Sequence, residues 1–600
     1  MTLPTSELFG RALGGALREG GLRAVLLLLF FLAPLTGCEP PPETPPEAAE
    51  EEDLFEVEPE IRPEVSGMHG AVTAGHPLAA AAGYEVLRNG GTAADAAVTM
   101  AAILAVVRPH MNGVGGDAFA LFYDGETREV QALNGSGRAA EGATPEFFLE
   151  QEIEEMPETG PLAVTVPGAV SAWEAALQRH GTISLAQALE PAIHFAREGF
   201  VVTTTLAADL SGATRLNEAG RELYAPGGDP LPAGEILRNP ALAASLQAIS
   251  DEGPGAIYGG EVGQALADFL ETEGSPLRLE DFAAHSADWV DPVSLEFQGL
   301  SVHTLPPNSQ GMVLLQTLGM VEARGIDAES AFAPEHLHAL VEAKKLAFAD
   351  RDRWVADPET DPAPMGRLLD PEYLAERAQQ IGSEAAAEVA PGFEDSDEPT
   401  ASASRAGDAG QAAGDGDTVY LIAVDAEGNA VSWVQSLFHS FGSGLVEPET
   451  GIVLQNRGGG FNLQEGHPNR IAPGKRPFHT LMATLVTGSG GEFEMAMGTP
   501  GGHGQSQTVA QALIQMVNFG MSPQHAAEAP RYRSYDGLTL RLESRLPETT
   551  RAGLAGMGHE VGVSQGWTAP FGNLQIIRRD ANGVLRTGVD MRREAAALAY

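Results

Sequence analysis

Six hundred residues with 36 basic and 82 acidic side chains exceed one small core and exclude a nucleic-acid partner, because phosphate binding relies on clustered Lys and Arg. The single cysteine, Cys38, excludes an intramolecular disulfide and any cysteine-based metal cage. The 43% apolar content, with 71 glycines and 41 prolines, fits a globular chain rich in loops, built as one large intertwined unit or as about two to three domains.

At the N-terminus, Arg11, Arg18 and Arg23 precede the apolar run Ala24–Leu32, and Leu35-Thr36-Gly37-Cys38 follows. A basic start, a short apolar stretch and small residues read as a secretory signal over residues 1–37 rather than a membrane span. Leu-Thr-Gly-Cys resembles the bacterial lipobox, whose cysteine is lipidated and becomes the mature N-terminus. Cys38 is therefore the expected lipid anchor, with a free cysteine behind an ordinary signal as the alternative. Residues 38–64, rich in Pro and Glu, read as an extended, self-repelling tether. The expectation is an exported protein held to a bacterial membrane, on its periplasmic or cell-surface face, by its lipid alone.

The folded part is expected to start near Val65. His76–Leu87 reads as a helix stopped by Asn89-Gly90-Gly91. Thr92 opens a second helix with Asp95 as its capping-box partner, apolar almost all round to Val107 and too short to cross a bilayer. Phe119–Tyr123 and Arg128–Leu133 read as a hairpin through Asp124-Gly125. From Gly160 to about Ile381 the chain reads as mostly helical. Its clearest helix, Glu335–Val355, places Lys344, Lys345 and Arg351 on an expected solvated face.

Ser383–Asp417 is dominated by Ala, Gly, Glu, Asp and Ser and reads as a disordered leader. Thr418–Asp425 follows as a strand buried on both faces, turning through Ala426-Glu427-Gly428 into Asn429–Leu437. If Asp425 pairs with Asn429, Thr418 lies opposite Ser436, with a slip of one residue as the alternative. A second hairpin is expected over Phe478–Thr487 and Glu492–Gly498. Thr499-Pro500-Gly501-Gly502 then leads into a helix from about Gln505 to Phe519.

A flexible leader that ends on Thr at the first position of a central strand reads as a place where the chain is cut, between Asp417 and Thr418. The cut would free an α-amino group beside a hydroxyl, one way to activate a threonine nucleophile. Glycines at a strand-to-helix turn offer unpaired N–H groups to a developing oxyanion, although Pro-Gly-Gly alone is equally a tight turn.

Several motifs in order resemble those of the γ-glutamyltransferase family. They are Gly90-Gly91-Thr92-Ala93-Ala94-Asp95-Ala96-Ala97, Arg108-Pro109, Asn112-Gly113-Val114-Gly115-Gly116-Asp117, Phe441-Gly442-Ser443-Gly444, Gly451-Ile452-Val453-Leu454-Gln455-Asn456, Gly474-Lys475-Arg476-Pro477 and Gly498-Thr499-Pro500-Gly501-Gly502. The resemblance runs from about Gly67 to the C-terminus. It implies the α+β fold of the N-terminal nucleophile hydrolases, a four-layer αββα sandwich. It also implies a precursor that cuts itself into a large subunit (65–417) and a small catalytic one (418–600), which stay together as a heterodimer. Thr418 is then the nucleophile, Ser436 the hydroxyl beside it, and Gly501 and Gly502 the oxyanion glycines. An amide or γ-glutamyl donor would pass through an acyl-enzyme to water, an amino acid or a peptide, with no metal or cofactor. No His-Glu-x-x-His spacing occurs.

The departures from the family pattern fall on its specificity positions. The carboxylate-binding Arg of the family falls in register at Ser136, with Arg138 two residues on. Gly458-Gly459-Gly460 stands before Phe461 where the family has an acid for the substrate amine. The family's Ser-Ser pair becomes His479-Thr480, and an Asn becomes Phe438. This pattern is similar to the branch that holds oxamate amidohydrolase and cephalosporin-acylase-like members. Arg138, Arg457 and His479 become the candidate anion contacts, with Asn456 and Thr480 as further substrate-binding candidates. An amidohydrolase for a small amide that is not γ-glutamyl, and an uncleaved lipid-anchored binding protein on the same fold, are the alternatives.

Overall fold

The computed structural model describes residues 61–326, 329–393 and 417–600. The expected signal, Cys38 and most of the tether and leader lie outside the described residues. Two ends of those segments are corrected. Ile61 and Arg62 already donate their backbone N–H groups to the Glu528 carboxylate, both at 2.9 Å, so the tether stops short of residue 64. The leader begins as docked chain: Ala385 N–H reaches Met557 O at 2.7 Å, Gly392 N–H reaches Asp350 Oδ1 at 2.8 Å, and Phe393 packs on Trp354.

Two seven-stranded sheets form the centre. The first runs, in spatial order, Ala596–Ala599, Ala71–Ala74, Asp417–Val424, Ala430–Phe438, Asp117–Tyr123, Val130–Gly135 and Asp288–Val290. The second runs Ser66–Gly67, Leu585–Val589, Gln575–Arg579, Phe493–Gly498, Thr484–Thr487, Leu300–Thr304 and Val293–Phe297. Both are antiparallel throughout. Each mixes strands from both sides of residue 418, so a cut there leaves two chains sharing both sheets.

Side-chain alternation separates three cores and so defines four layers. On strand Asp417–Val424, Tyr420, Ile422 and Val424 enter the core between the sheets, with Phe119, Leu485 and Ile577. Val419, Leu421 and Ala423 point the other way, into a helical layer that includes Ala93–Val107. Met495 and Met497 of the second sheet face the opposite helical layer, built from Met312–Arg324, Pro334–Trp354 and Gln505–Val517. The αββα order implied by the resemblance is present. Thr92 and Asp95 form the expected capping box. Among the described residues, no helix is long and apolar enough to cross a membrane.

The register of the central hairpin is the expected one, Thr418 opposite Ser436, with a bulge between Asp417 and Thr418 that pairs Asp417 with Phe438. Three other expectations are corrected. The second hairpin is shorter, its first strand being Thr484–Thr487, because residues 478–483 leave the ladder, with His479 and Thr480 turned to Asp117 and Arg457. The segment read as mostly helical also supplies three strands within Asp288–Thr304, of which Asp288–Val290 and Val293–Phe297 are sheet edges. Its Gln298-Gly299 turn, with φ of 52° and 79°, is the two-residue connection a hairpin favours.

Third, Pro334–Trp354 has no solvated face: Lys344, Lys345 and Arg351 are buried. Lys344 lies over Phe348 and donates to Ser534 O at 3.3 Å. Lys345 pairs with Glu342 and Ala386 O, both at 2.7 Å. Arg351 meets His503 Nδ1 at 2.8 Å. Segments distant in sequence cover the charged stripe, which helical periodicity cannot register.

Candidate active site

The site is built at one end of the inter-sheet core. Thr418, second in its strand, has the same parity as Tyr420, so its side chain faces the second sheet and is buried. Ser436, across the ladder, has the same parity as Val434. The two hydroxyls therefore meet, Thr418 Oγ donating to Ser436 Oγ at 3.1 Å. Ser436 Oγ in turn donates to the carbonyl of Asp417 at 2.8 Å and accepts the N–H of Phe438 at 2.7 Å. The nucleophile candidate, its partner and the carbonyl of the preceding peptide bond thus form one hydrogen-bonded line.

The glycine turn approaches from the second sheet. A Cβ on Gly498 would lie 2.3 Å from the Tyr420 ring, so only glycine lets that strand end pack two residues from Thr418. Gly501 and Gly502 follow with φ of 129° and 53°. Among the described residues neither N–H has an acceptor. Gln310 fixes the turn, its amide donating to Thr480 O at 2.7 Å and to Gly502 O at 3.0 Å, while Arg351 donates to its oxygen at 3.3 Å.

Three of the departing positions, Phe438, His479 and Thr480, converge around Arg457. Arg457 is fully buried; its Cζ lies 4.1 Å over the Phe438 ring, and its Nη1 donates to Thr480 Oγ at 3.4 Å. The nearest carboxylate oxygen, Asp117 Oδ2, is 3.9 Å from its Nε, too far for a hydrogen bond. Among the described residues its Nε and Nη2 have no hydrogen-bond partner. Burial lowers this guanidinium to about 9, so it remains a cation at neutral pH.

Asp117 Oδ2 instead accepts from His479 Nε2 at 3.0 Å, and Oδ1 accepts the N–H of Gly137 at 2.9 Å. Burial, reinforced by Arg457, lowers His479 to about 4. At neutral pH its Nε2 carries the single ring proton toward Asp117, leaving Nδ1 as an acceptor. This corrects the anion-contact expectation for His479, because a neutral ring whose one proton is spent on Asp117 has nothing to offer an anion.

The remaining candidates are differently placed. The amide of Asn456 is occupied at both ends, accepting the N–H of His439 at 3.0 Å and donating to Glu158 O at 2.7 Å, so it shapes the turn after Ser436. Arg138 is held by Glu359 at 2.6 Å, with Asp357 at 3.7 Å and Asp288 at 3.9 Å. An incoming carboxylate there would compete with three acids. Ser136 is buried and accepts from Asn308 Nδ2 at 3.1 Å.

Asp117 and Gln310 carried no role in the sequence reading. An aspartate closing Gly115-Gly116-Asp117 against an apolar strand was the available signal for the first; nothing local announces Gln310. His338, Glu342 and His559 also converge, their ligand atoms lying within 4.8 Å of one another. Linear spacing hides this group because His559 comes from far along the chain. Lys345 already places an ammonium 2.7 Å from Glu342, which disfavours a second cation there.

Two antiparallel sheets stacked between helical layers, with paired hydroxyls at the head of a central strand, define the class of N-terminal nucleophile hydrolases. Residues 79–600 match the gamma-glutamyltranspeptidase family model. The chain is 38% identical to the glutathione hydrolase-like YwrD proenzyme of Bacillus subtilis, over 89% of this chain and 99% of that protein. It is 36% identical to the oxamate amidohydrolase proenzyme of Klebsiella pneumoniae, over 89% and 98% of the two chains. The crystal structure of cephalosporin acylase from Bacillus halodurans superposes with a TM-score of 0.82 at 34% identity, covering 90% of this chain and 98% of that one. The chain belongs to the gamma-glutamyltranspeptidase family and is an enzyme of it.

Proposed function

We propose that this protein is a self-processing amidohydrolase whose donor carries a carboxylate on its acyl part and no ammonium beside it. The observation that carries this reading is Arg457, a buried guanidinium two of whose nitrogens lack a hydrogen-bond partner among the described residues. The nearby carboxylate of Asp117 is hydrogen-bonded to His479 and Gly137. A buried cation with donors left over after its one distant counter-ion favours an incoming anion. A γ-glutamyl donor would also need an acid for its amine, and Asp117 is spent.

In this reading the Asp417–Thr418 bond opens first. The freed α-amino group, with an ordinary pKa of about 7.7–8.0, takes the Thr418 Oγ proton. Oγ attacks the donor amide, the N–H groups of Gly501 and Gly502 receive the oxyanion, the amine leaves and water releases the acyl group. Ser436 keeps Thr418 Oγ oriented, and Arg457 with Thr480 holds the donor carboxylate. Residues up to 417 and from 418 onward would then form the large and small subunits. γ-Glutamyl cleavage is the second reading, favoured by the likeness to a protein named glutathione hydrolase-like.

Three anilides separate these readings: glutaryl, γ-glutamyl (the same chain plus an amine) and butyryl (neither charge). The expected order of kcat/KM is glutaryl above both others, and faster turnover of the γ-glutamyl compound overturns the proposal. A wild type that stays one band on a denaturing gel, like Thr418→Ala, removes self-processing and favours an uncleaved binding protein. Export and lipidation at Cys38 belong to the same proposal, on the strength of Leu35-Thr36-Gly37-Cys38. Labelled palmitate should enter the wild type and not Cys38→Ser.

A further inference from the structure

Resting on the proposed cut at Asp417–Thr418, we infer that Arg593, in the C-terminal segment, is a positioning residue for that cut and holds the acyl side of the bond. Its Nη2 donates to Asp417 Oδ1 at 3.0 Å. Its Nη1 lies 3.7 Å from Asp209 Oδ2. Asp209 is itself flanked by His110 at 3.2 Å and Arg108 at 3.3 Å. Asp209 thus backs Arg593 with a fixed negative charge. The backbone at this point is equally fixed, since the neighbouring Arg592 is buried and paired with Glu543 at 2.6 Å and Asp590 at 3.0 Å.

Asp417 needs such a hold because it sits at the bulge where the ladder with strand Ala430–Phe438 shifts register. A bulged residue loses regular pairing, so side-chain contacts orient its peptide plane. Two are present: Ser436 Oγ on the carbonyl at 2.8 Å and Arg593 on the carboxylate. In the cut, Thr418 Oγ bonds to the Asp417 carbonyl carbon, the C–N bond breaks, and the Oγ proton ends on the α-nitrogen. Water then adds across the ester, its hydroxyl going to the Asp417 carbon and its proton to Thr418 Oγ. Arg593 exchanges no proton. It keeps the carbonyl facing Oγ and offsets the Asp417 charge beside the developing oxyanion.

The test is the rate at which freshly made full-length precursor divides into two bands. Arg593→Ala and Asp417→Ala are each expected to slow division about 10- to 100-fold. The double variant should be no slower than the slower single, because both remove one contact. Arg593→Lys should restore part of the rate. Division of Arg593→Ala within twofold of wild type, or additive losses in the double variant, overturns the inference. So does a melting temperature of Thr418→Ala/Arg593→Ala more than about 10 degrees below that of Thr418→Ala, with no rescue by Lys, since the loss is then one of folding. If the wild type never divides while both variants fold, the self-processing reading falls and this inference with it.

Discussion

The guanidinium of Arg457 lies 4.1 Å over the ring of Phe438, and each residue stands at or beside a position where the chain departs from its family pattern. The two departures are one contact. An aromatic face stabilises a desolvated cation by about 2 kcal/mol, and Phe438 takes the place of a polar residue that would leave the cation bare. Thr480 and Asp117 complete the surroundings, so two of the altered specificity positions, Phe438 and Thr480, pack directly on one positive charge.

Removing that charge should lower activity toward anionic donors selectively and should also lower stability. Arg457→Met deletes a charge-assisted contact worth about 1.5–3 kcal/mol, so kcat/KM for a carboxylate-bearing amide should fall roughly 10- to 150-fold. A neutral acyl anilide should be affected far less. Asp117, buried and 3.9 Å from the guanidinium, loses its cation in the same change. Breaking one side of a buried pair is destabilising, so the melting temperature should also fall, and adding Asp117→Asn should recover part of it. Steady-state kinetics on charged and neutral donors, with thermal unfolding, check both signs.

Ser436 touches Thr418, the Asp417 carbonyl and the N–H of Phe438. Ser436→Ala removes the donor to the carbonyl under attack, and division of the precursor should slow by about 10²–10³-fold. Ser436→Thr keeps the hydroxyl and should divide at a rate closer to wild type. Densitometry of the undivided band against time measures both.

How much of this was legible depends on how local each signal is. The Thr418–Ser436 pairing follows from a three-residue turn and strict alternation, so the strand sequence alone sets it. The glycine turn is equally local. The setting of Arg457 was legible only as a set of substitutions, because its aromatic partner (Phe438), hydroxyl (Thr480) and counter-ion (Asp117) come from three separate segments. His479 was misjudged for a related reason. A histidine in an acidic protein suggests a cation, but deep burial beside Arg457 makes it neutral. The charged helix Pro334–Trp354 failed most plainly, since its cover includes the start of a leader read as disordered.

Acid should destabilise the fold before it protonates the surface carboxylates. His76, His285, His336, His467, His479 and His559 are all lowered to about 4, with burial the first cause in each. The unfolded chain binds these protons near the ordinary histidine value of about 6.5, the folded chain only near 4. Their contribution is therefore complete above pH about 6.5 and is lost as pH falls toward 4. His479, fully buried, accounts for about 3 kcal/mol of that loss. Denaturant midpoints should be flat above pH 7 and decline steadily from 6.5 to 4. In His479→Gln the decline should be shallower.

The pair Lys345–Glu342 lies at 2.7 Å beneath the docked start of the leader, with Ala386 N–H on the second oxygen of Glu342 at 3.1 Å. Lys345→Met strands a buried carboxylate, and breaking one side of such a pair costs about 3–5 kcal/mol. Adding Glu342→Gln removes the stranded charge and keeps an acceptor for Ala386, so the double variant should recover most of the loss. A solvated pair would instead shift stability by about 0–1 kcal/mol in either variant. Thermal unfolding of the two variants separates these outcomes. Limited proteolysis within residues 383–393 should rise in Lys345→Met and return toward wild type in the double variant, because the segment docks through the same two side chains.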